Sequence, residues 1–100
     1  MSLNDNQIRF LRKQAHSLKP VVLTGQHGIT EGVLNEIDLA LEHHELIKVR
    51  ISASDREERK EMINEICEKT SAELIQSIGH IAALFRQKKD RSKTRFTLPK

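Results

Sequence analysis

Gly25-Gln26-His27-Gly28 is the stretch of this chain best suited to hold an anion. The apolar run Val21-Val22-Leu23 stands before it, and Thr30 after it is a good helix N-cap. Two glycines three apart therefore fall where a strand passes into a helix. Backbone N–H groups point outward there without helical partners, beside the positive end of the helix dipole. A phosphate fits such a corner. Glycine lacks a Cβ that would keep a sugar-phosphate chain away, and Gln26 and His27 can donate hydrogen bonds. The same glycines also suit an ordinary tight turn. Neither central residue is Lys or Arg, so most of the attraction for an anion must come from elsewhere.

Other reactive side chains point to no chemistry. His43 and His44 are adjacent on a helix, where neighbours diverge by about 100°, so they cannot readily share one ion. Their place at a helix C-terminus suits the dipole instead. His80 falls in a turn, and Cys67 on an apolar helix stripe reads as an inert core residue. The carboxylates lie on solvated helix faces, with no isolated acid pair. No phosphate-loop lysine motif, zinc spacing or nucleophile elbow is present. No catalytic residue, metal site, cofactor or small-molecule substrate is expected, and the chain does not read as an enzyme.

The charge is divided. The net value of +3 combines +3 over residues 1–24, −6 over residues 25–85 and +6 over residues 86–100. Arg9, Arg12, Lys13 and His16 cluster on one face of the first helix, with Lys19 just beyond. Arg86, Lys88, Lys89 and Arg91, followed by Lys93 and Arg95, form a basic tail. Cationic ends around an acidic middle suggest a bound polyanion. Only Phe10, Phe85 and Phe96 are aromatic. Modules that stack bases on aromatic platforms need more, so a nucleic acid would be held mainly by its backbone and shape.

One hundred residues predict one domain, 1–100, with 87–100 as its tail. A single cysteine, no membrane-length apolar run and no signal-like N-terminus predict a cytoplasmic protein. The composition leaves the oligomeric state open, and a monomer is the simplest expectation.

Seven elements must position these residues. Asn4 to about Ser17 predicts a helix, with Ile8, Leu11, Ala15 and Leu18 on one stripe. Val21-Val22-Leu23 predicts a strand covered on both faces. Glu31 to about His44 predicts a helix burying Val33, Leu34, Ile37 and Leu41, with an acidic face of Glu31, Glu36, Asp38 and Glu42. Ile29 and Leu34 are placed for a hydrophobic staple. In Leu46–Ile51, alternation points Ile47, Val49 and Ile51 to the core and Lys48 and Arg50 away. The two strands and their helix make a βαβ unit with parallel strands. Ser54-Asp55-Arg56-Glu57 predicts a capping box for a third helix that buries Met62, Ile63, Ile66 and Cys67. Leu74–Ile78 and Ile81–Phe85 predict a hairpin turning at Gly79-His80. The tail reads as a short edge strand, or as a segment disordered until it meets a partner. The order is α-β-α-β-α-β-β, an α/β (α+β two-layer) fold: a mixed four-stranded sheet with helices packed on it.

With these elements in place, the chain resembles the CRM domain family, the chloroplast RNA splicing and ribosome maturation domain. His16-x-Leu18-Lys19-Pro20-Val21-Val22-x-x-Gly25-x-x-Gly28 looks like its opening signature. Leu41-Glu42-His43-His44-Glu45-Leu46-Ile47-Lys48-Val49 resembles its second block. Ile78-Gly79-His80 and Leu84-Phe85-Arg86 look like its third, and Leu98-Pro99-Lys100 is similar to its ending. The likeness is greatest to the bacterial stand-alone form. It implies a fold like the C-terminal domain of translation initiation factor three and RNA binding without catalysis. The implied partner is large-subunit ribosomal RNA in pre-ribosomal particles, with no membrane involved. The GxxG loop of the family falls on Gly25, Gln26, His27 and Gly28. The competing reading is a protein-interaction adaptor acting through the acidic second helix.

Overall fold

The computed structural model describes residues 3–25 and 28–100. Helix α1, Asp5–Ala15, opens on a full capping box: Asn4 accepts the Gln7 N–H, and the Gln7 side chain accepts the Asn4 N–H. Strand β1, Pro20–Leu23, leads through the glycine loop to α2, Glu31–His44. Strand β2, Leu46–Arg50, follows, then α3, Arg56–Thr70. Strands β3, Glu73–Ile78, and β4, Ile81–Phe85, close the sheet. The chain ends in an irregular segment with one 3-10 turn, Arg91–Lys93.

The strand order is β1-β2-β4-β3. Strands β1 and β2 are parallel, as a βαβ unit requires, and the β2–β4 and β3–β4 pairs are antiparallel. The expected element order, mixed four-stranded sheet and α+β class are all present.

Alternation along the strands sends side chains to two separate clusters. Val22, Ile47, Val49, Ala82 and Leu84 pack against Ile37 and Leu41 of α2 and Met62, Ile63 and Ile66 of α3. On the opposite face Leu46, Ala83, Phe85 and Ile75 pack against Leu11 and Ala15 of α1. A bulge between Leu74 and Gln76 shifts the β3 register at Ile75. Helices α2 and α3 thus cover most of one face, leaving Leu74 of β3 42% exposed, while α1 covers only part of the other.

Three local expectations are corrected. The β1 run is not covered on both faces: Val22 is buried, but Val21 is 53% and Leu23 63% exposed. Strand β1 is an edge strand, and its outer face reaches past the cover that α1 gives. The cap of α3 is Asp55, whose carboxylate accepts the Glu58 N–H at 2.8 Å, and not Ser54, whose hydroxyl donates to Glu58 instead. Both residue types can cap, and a carboxylate gains more from the helix dipole. The tail is neither an edge strand nor detached. Phe96 and Leu98 join the α1 cluster, Phe96 meets Phe85 edge-on with centroids 6.5 Å apart, and the Pro99 carbonyl accepts from Gln7.

Candidate nucleic-acid interface

The loop corner is built from the exit of β1. The Thr24 N–H donates to the Arg50 carbonyl at 3.0 Å, and the buried Thr24 hydroxyl accepts the Ser52 N–H at 2.7 Å. These two bonds fix the chain as it leaves the sheet. Gly25 and Gly28 then face each other across a narrow bridge, closed by the Gly28 N–H donating to the Gly25 carbonyl at 3.2 Å. Gln26 and His27 lie outside the described residues. Thr30 caps α2 by accepting the Val33 N–H at 3.2 Å, and Ile29 and Leu34 each pack, half-buried, against the core. The N–H groups of Glu31 and Gly32 have no partner among the described residues.

The two glycines differ in why they must be glycine. Gly28 has φ +75°, a conformation that side-chain-bearing residues rarely adopt. Gly25 has no such φ, and among the described residues a Cβ there would meet no atom within 4 Å. Gly28 therefore serves the turn, whereas nothing inside the described chain asks for glycine at 25. A close external approach would ask for it.

The basic residues of the ends do not all converge on the loop. On α1, Arg9, Arg12, Lys13 and His16 are exposed, and Arg12 Nε donates to the Ile75 carbonyl at 3.2 Å. His16 reaches the uncovered sheet face beside Lys48, Gln76 and Ile81. Lys19 lies with His44, Arg95 and Phe96 around a shallow recess. The tail leaves from Phe85, which pairs with Leu46 at the start of β2, while the loop leaves from Leu23, which pairs with Arg50 at its end. At about 3.3 Å per residue, β2 separates the two exits by roughly 13 Å.

Arg86 has a structural role. Its guanidinium meets Asp38 at 2.6 Å and Glu42 at 3.4 Å, and also donates to the carbonyls of Asp38 and Thr70. Lys89 is exposed beside the same acidic cluster. Lys88 donates its backbone N–H to Glu45. Arg91 begins the 3-10 turn, and its side chain is outside the described residues.

Glu45 is the residue the sequence pattern missed. It is fully buried at the end of α2, at φ 64°. Its carboxylate accepts from the Lys88 N–H at 2.7 Å, the Thr94 hydroxyl at 2.9 Å and the Arg95 N–H. It clasps the tail to the body, and no reactive group stands beside it. One signal was available: an acid at a helix C-terminus opposes the dipole, and such a local conflict marks a tertiary role. His43 and His44 are exposed, with rings 6.3 Å apart and tilted, and the His43 carbonyl accepts from Arg95. Burial, and then the Glu73 carboxylate, push the Cys67 thiol up from its ordinary value, which keeps it in the unreactive protonated form.

Two further cations, Arg50 beside the loop exit and Lys48 two residues before it, point to the sheet face opposite α2 and α3. Alternation along β2 had already turned them away from the core, but not toward any particular neighbour. Among the described residues no helix is long and apolar enough to cross a membrane.

Comparison with known proteins adds four findings. Residues 3–86 match the family model of the CRS1 / YhbY (CRM) domain. An RNA-binding protein of Haemophilus influenzae is 51% identical over 85% of this chain and 86% of its own length. A probable RNA-binding protein of Pseudomonas aeruginosa is 39% identical over 87% of this chain and 84% of its own. In structure, the chain is similar to a hypothetical protein of Staphylococcus aureus solved in solution, with a TM-score of 0.84 and 35% identity. That match covers 98% of this chain and all of the other.

Proposed function

This chain belongs to the CRS1 / YhbY (CRM) domain family, and from that premise we propose that it binds RNA at the corner between β1 and α2. Supporting this are the names of its relatives in Haemophilus and Pseudomonas. The observation that carries the site is Gly25, a glycine that neither backbone conformation nor internal packing requires. The sugar-phosphate chain approaches there, and the outward N–H groups at the start of α2 meet a phosphate. Gln26 and His27 add hydrogen bonds. Arg9, Arg12, Lys13, His16 and Lys19 extend the attraction over α1 and β1, with Lys88, Lys89 and Arg91 as a more distant field. The RNA is large-subunit ribosomal RNA in assembling particles, and the protein acts there in the cytoplasm as a single-domain monomer without catalysis. The adaptor reading is weakened because Asp38 and Glu42 on the acidic helix are already held by Arg86.

Gly25→Asp tests the site. It places a carboxylate at the phosphate position without a clash in the fold. Affinity for a fragment of large-subunit ribosomal RNA, read by fluorescence anisotropy, should fall at least tenfold, with the unfolding midpoint unchanged. A variant that binds as well as the unmodified protein would rule the corner out. Crosslinking in cells, with sequencing of the attached RNA, checks the ribosomal partner: recovery of other RNAs alone would refute that part.

A further inference from the structure

The sheet face that α1 leaves open is built in two rows. Strand pairing aligns Leu23, Arg50, Ile81 and Ile78 across all four strands, next to the loop. The row below holds Lys48, Ala83 and Gln76. Leu23 is 63% and Ile78 64% exposed, at the two edges of this row. Between them Arg50 is exposed and Ile81 half-buried. In the second row the small Ala83 leaves a recess of about 180 Å³ between Lys48, Gln76 and His16 at the end of α1. No acidic residue is among those lining it.

Resting on the RNA-binding reading above, we propose that this face receives unstacked bases of a single strand whose backbone runs over the Gly25 corner. The chemistry is complementary in kind and sign. Leu23, Ile81 and Ile78 offer an apolar bed to base faces and ribose. Arg50 and Lys48 answer the phosphates between them. Gln76 carries both a donor and an acceptor for a base edge lodged over Ala83. A second protein would find cations here with no opposing partner in their own chain among the described residues, whereas a nucleic acid supplies the opposing charge with every residue. The scarcity of aromatic residues does not bar base contact, because this platform is aliphatic.

The test uses the full chain and two labelled probes of one mixed sequence, a 12-nucleotide single-stranded RNA and the same strand annealed as a duplex. Leu23→Ala with Ile78→Ala removes apolar surface from two exposed positions and leaves every charge in place. Single-strand affinity should fall about tenfold, with the log–log salt slope unchanged and duplex affinity unaffected. Equal single-strand affinity before and after the double substitution would overturn the proposal while leaving the Gly25 corner standing. So would an equal loss on the duplex, whose bases are stacked away. Self-association of the unmodified protein, abolished by the double substitution without loss of RNA affinity, would assign the face to a second copy. If the unmodified protein bound neither probe, the RNA reading itself would fall along with this one.

Discussion

At the end of the sheet where β4 exits, charged groups answer one another: Glu45 takes the backbone of the tail, and Arg86 takes Asp38 and Glu42. At the end where β1 exits, only neutral groups of Thr24, its N–H and its hydroxyl, tie the chain down among the described residues. Arg50 there has no side-chain partner among the described residues, and Leu23 and Ile78 lie open. Residues of the same chemical types thus serve the fold at one end and remain available at the other. A basic residue is a candidate ligand only where the fold has not already used it, and counting charges along the chain does not reveal which case holds.

The largest effect expected from this contrast belongs to Glu45→Gln. The amide keeps the shape but turns a donor toward N–H groups that need an acceptor. Leaving buried donors unmatched and removing a charge-assisted network costs about 3 kcal/mol. Urea unfolding should show that loss, while RNA affinity measured well below the midpoint stays near that of the unmodified protein. Equal stability would mean that the tail does not depend on the clasp.

A pair of arginines separates the two ends directly. Arg86→Ala removes hydrogen bonds to charged partners and should lower stability by about 1–2 kcal/mol with the salt dependence of RNA binding unchanged. Arg50→Ala should do the reverse. Its stability should stay within about 0.5 kcal/mol, and its log–log salt slope should fall by about 0.7, because one phosphate is no longer neutralised. Identical behaviour of the two variants would erase the distinction between the ends.

The smallest effect belongs to the hinge of the loop. Thr24→Val keeps the packing and orphans the Ser52 N–H, which should lower stability by about 1 kcal/mol. Hydrogen exchange at the Ser52 amide should rise, since its acceptor is gone. An unchanged exchange rate would show that the hydroxyl does not anchor the loop.

Much of this was legible in the residues. Helix α2 runs from Glu31 to His44 as Thr30 and the apolar spacing predict, because capping and amphipathicity are local. The β3–β4 hairpin turns at Gly79-His80, where Gly79 takes φ +56°. The alternation of Ile47, Val49 and Ile51 against Lys48 and Arg50 fixes which side of β2 is core. Val21 and Leu23 misled, since an apolar triplet reads the same whether a strand is central or at an edge. The role of Glu45 was not legible among its chain neighbours, because its partners lie over 40 residues away. Arg86 was grouped with the tail for the same reason.

The sequence alone determined the element order, the cap of α2, the core-facing stripes, the family resemblance and the glycine corner, all of which rest on spacings of a few residues. Tertiary structure decided which strand is an edge, which cations face a free surface, and that Glu45 gathers the tail. Those outcomes depend on contacts between residues far apart in the chain. Burial makes such contacts strong, because a charge or donor removed from water must find its partner within the fold.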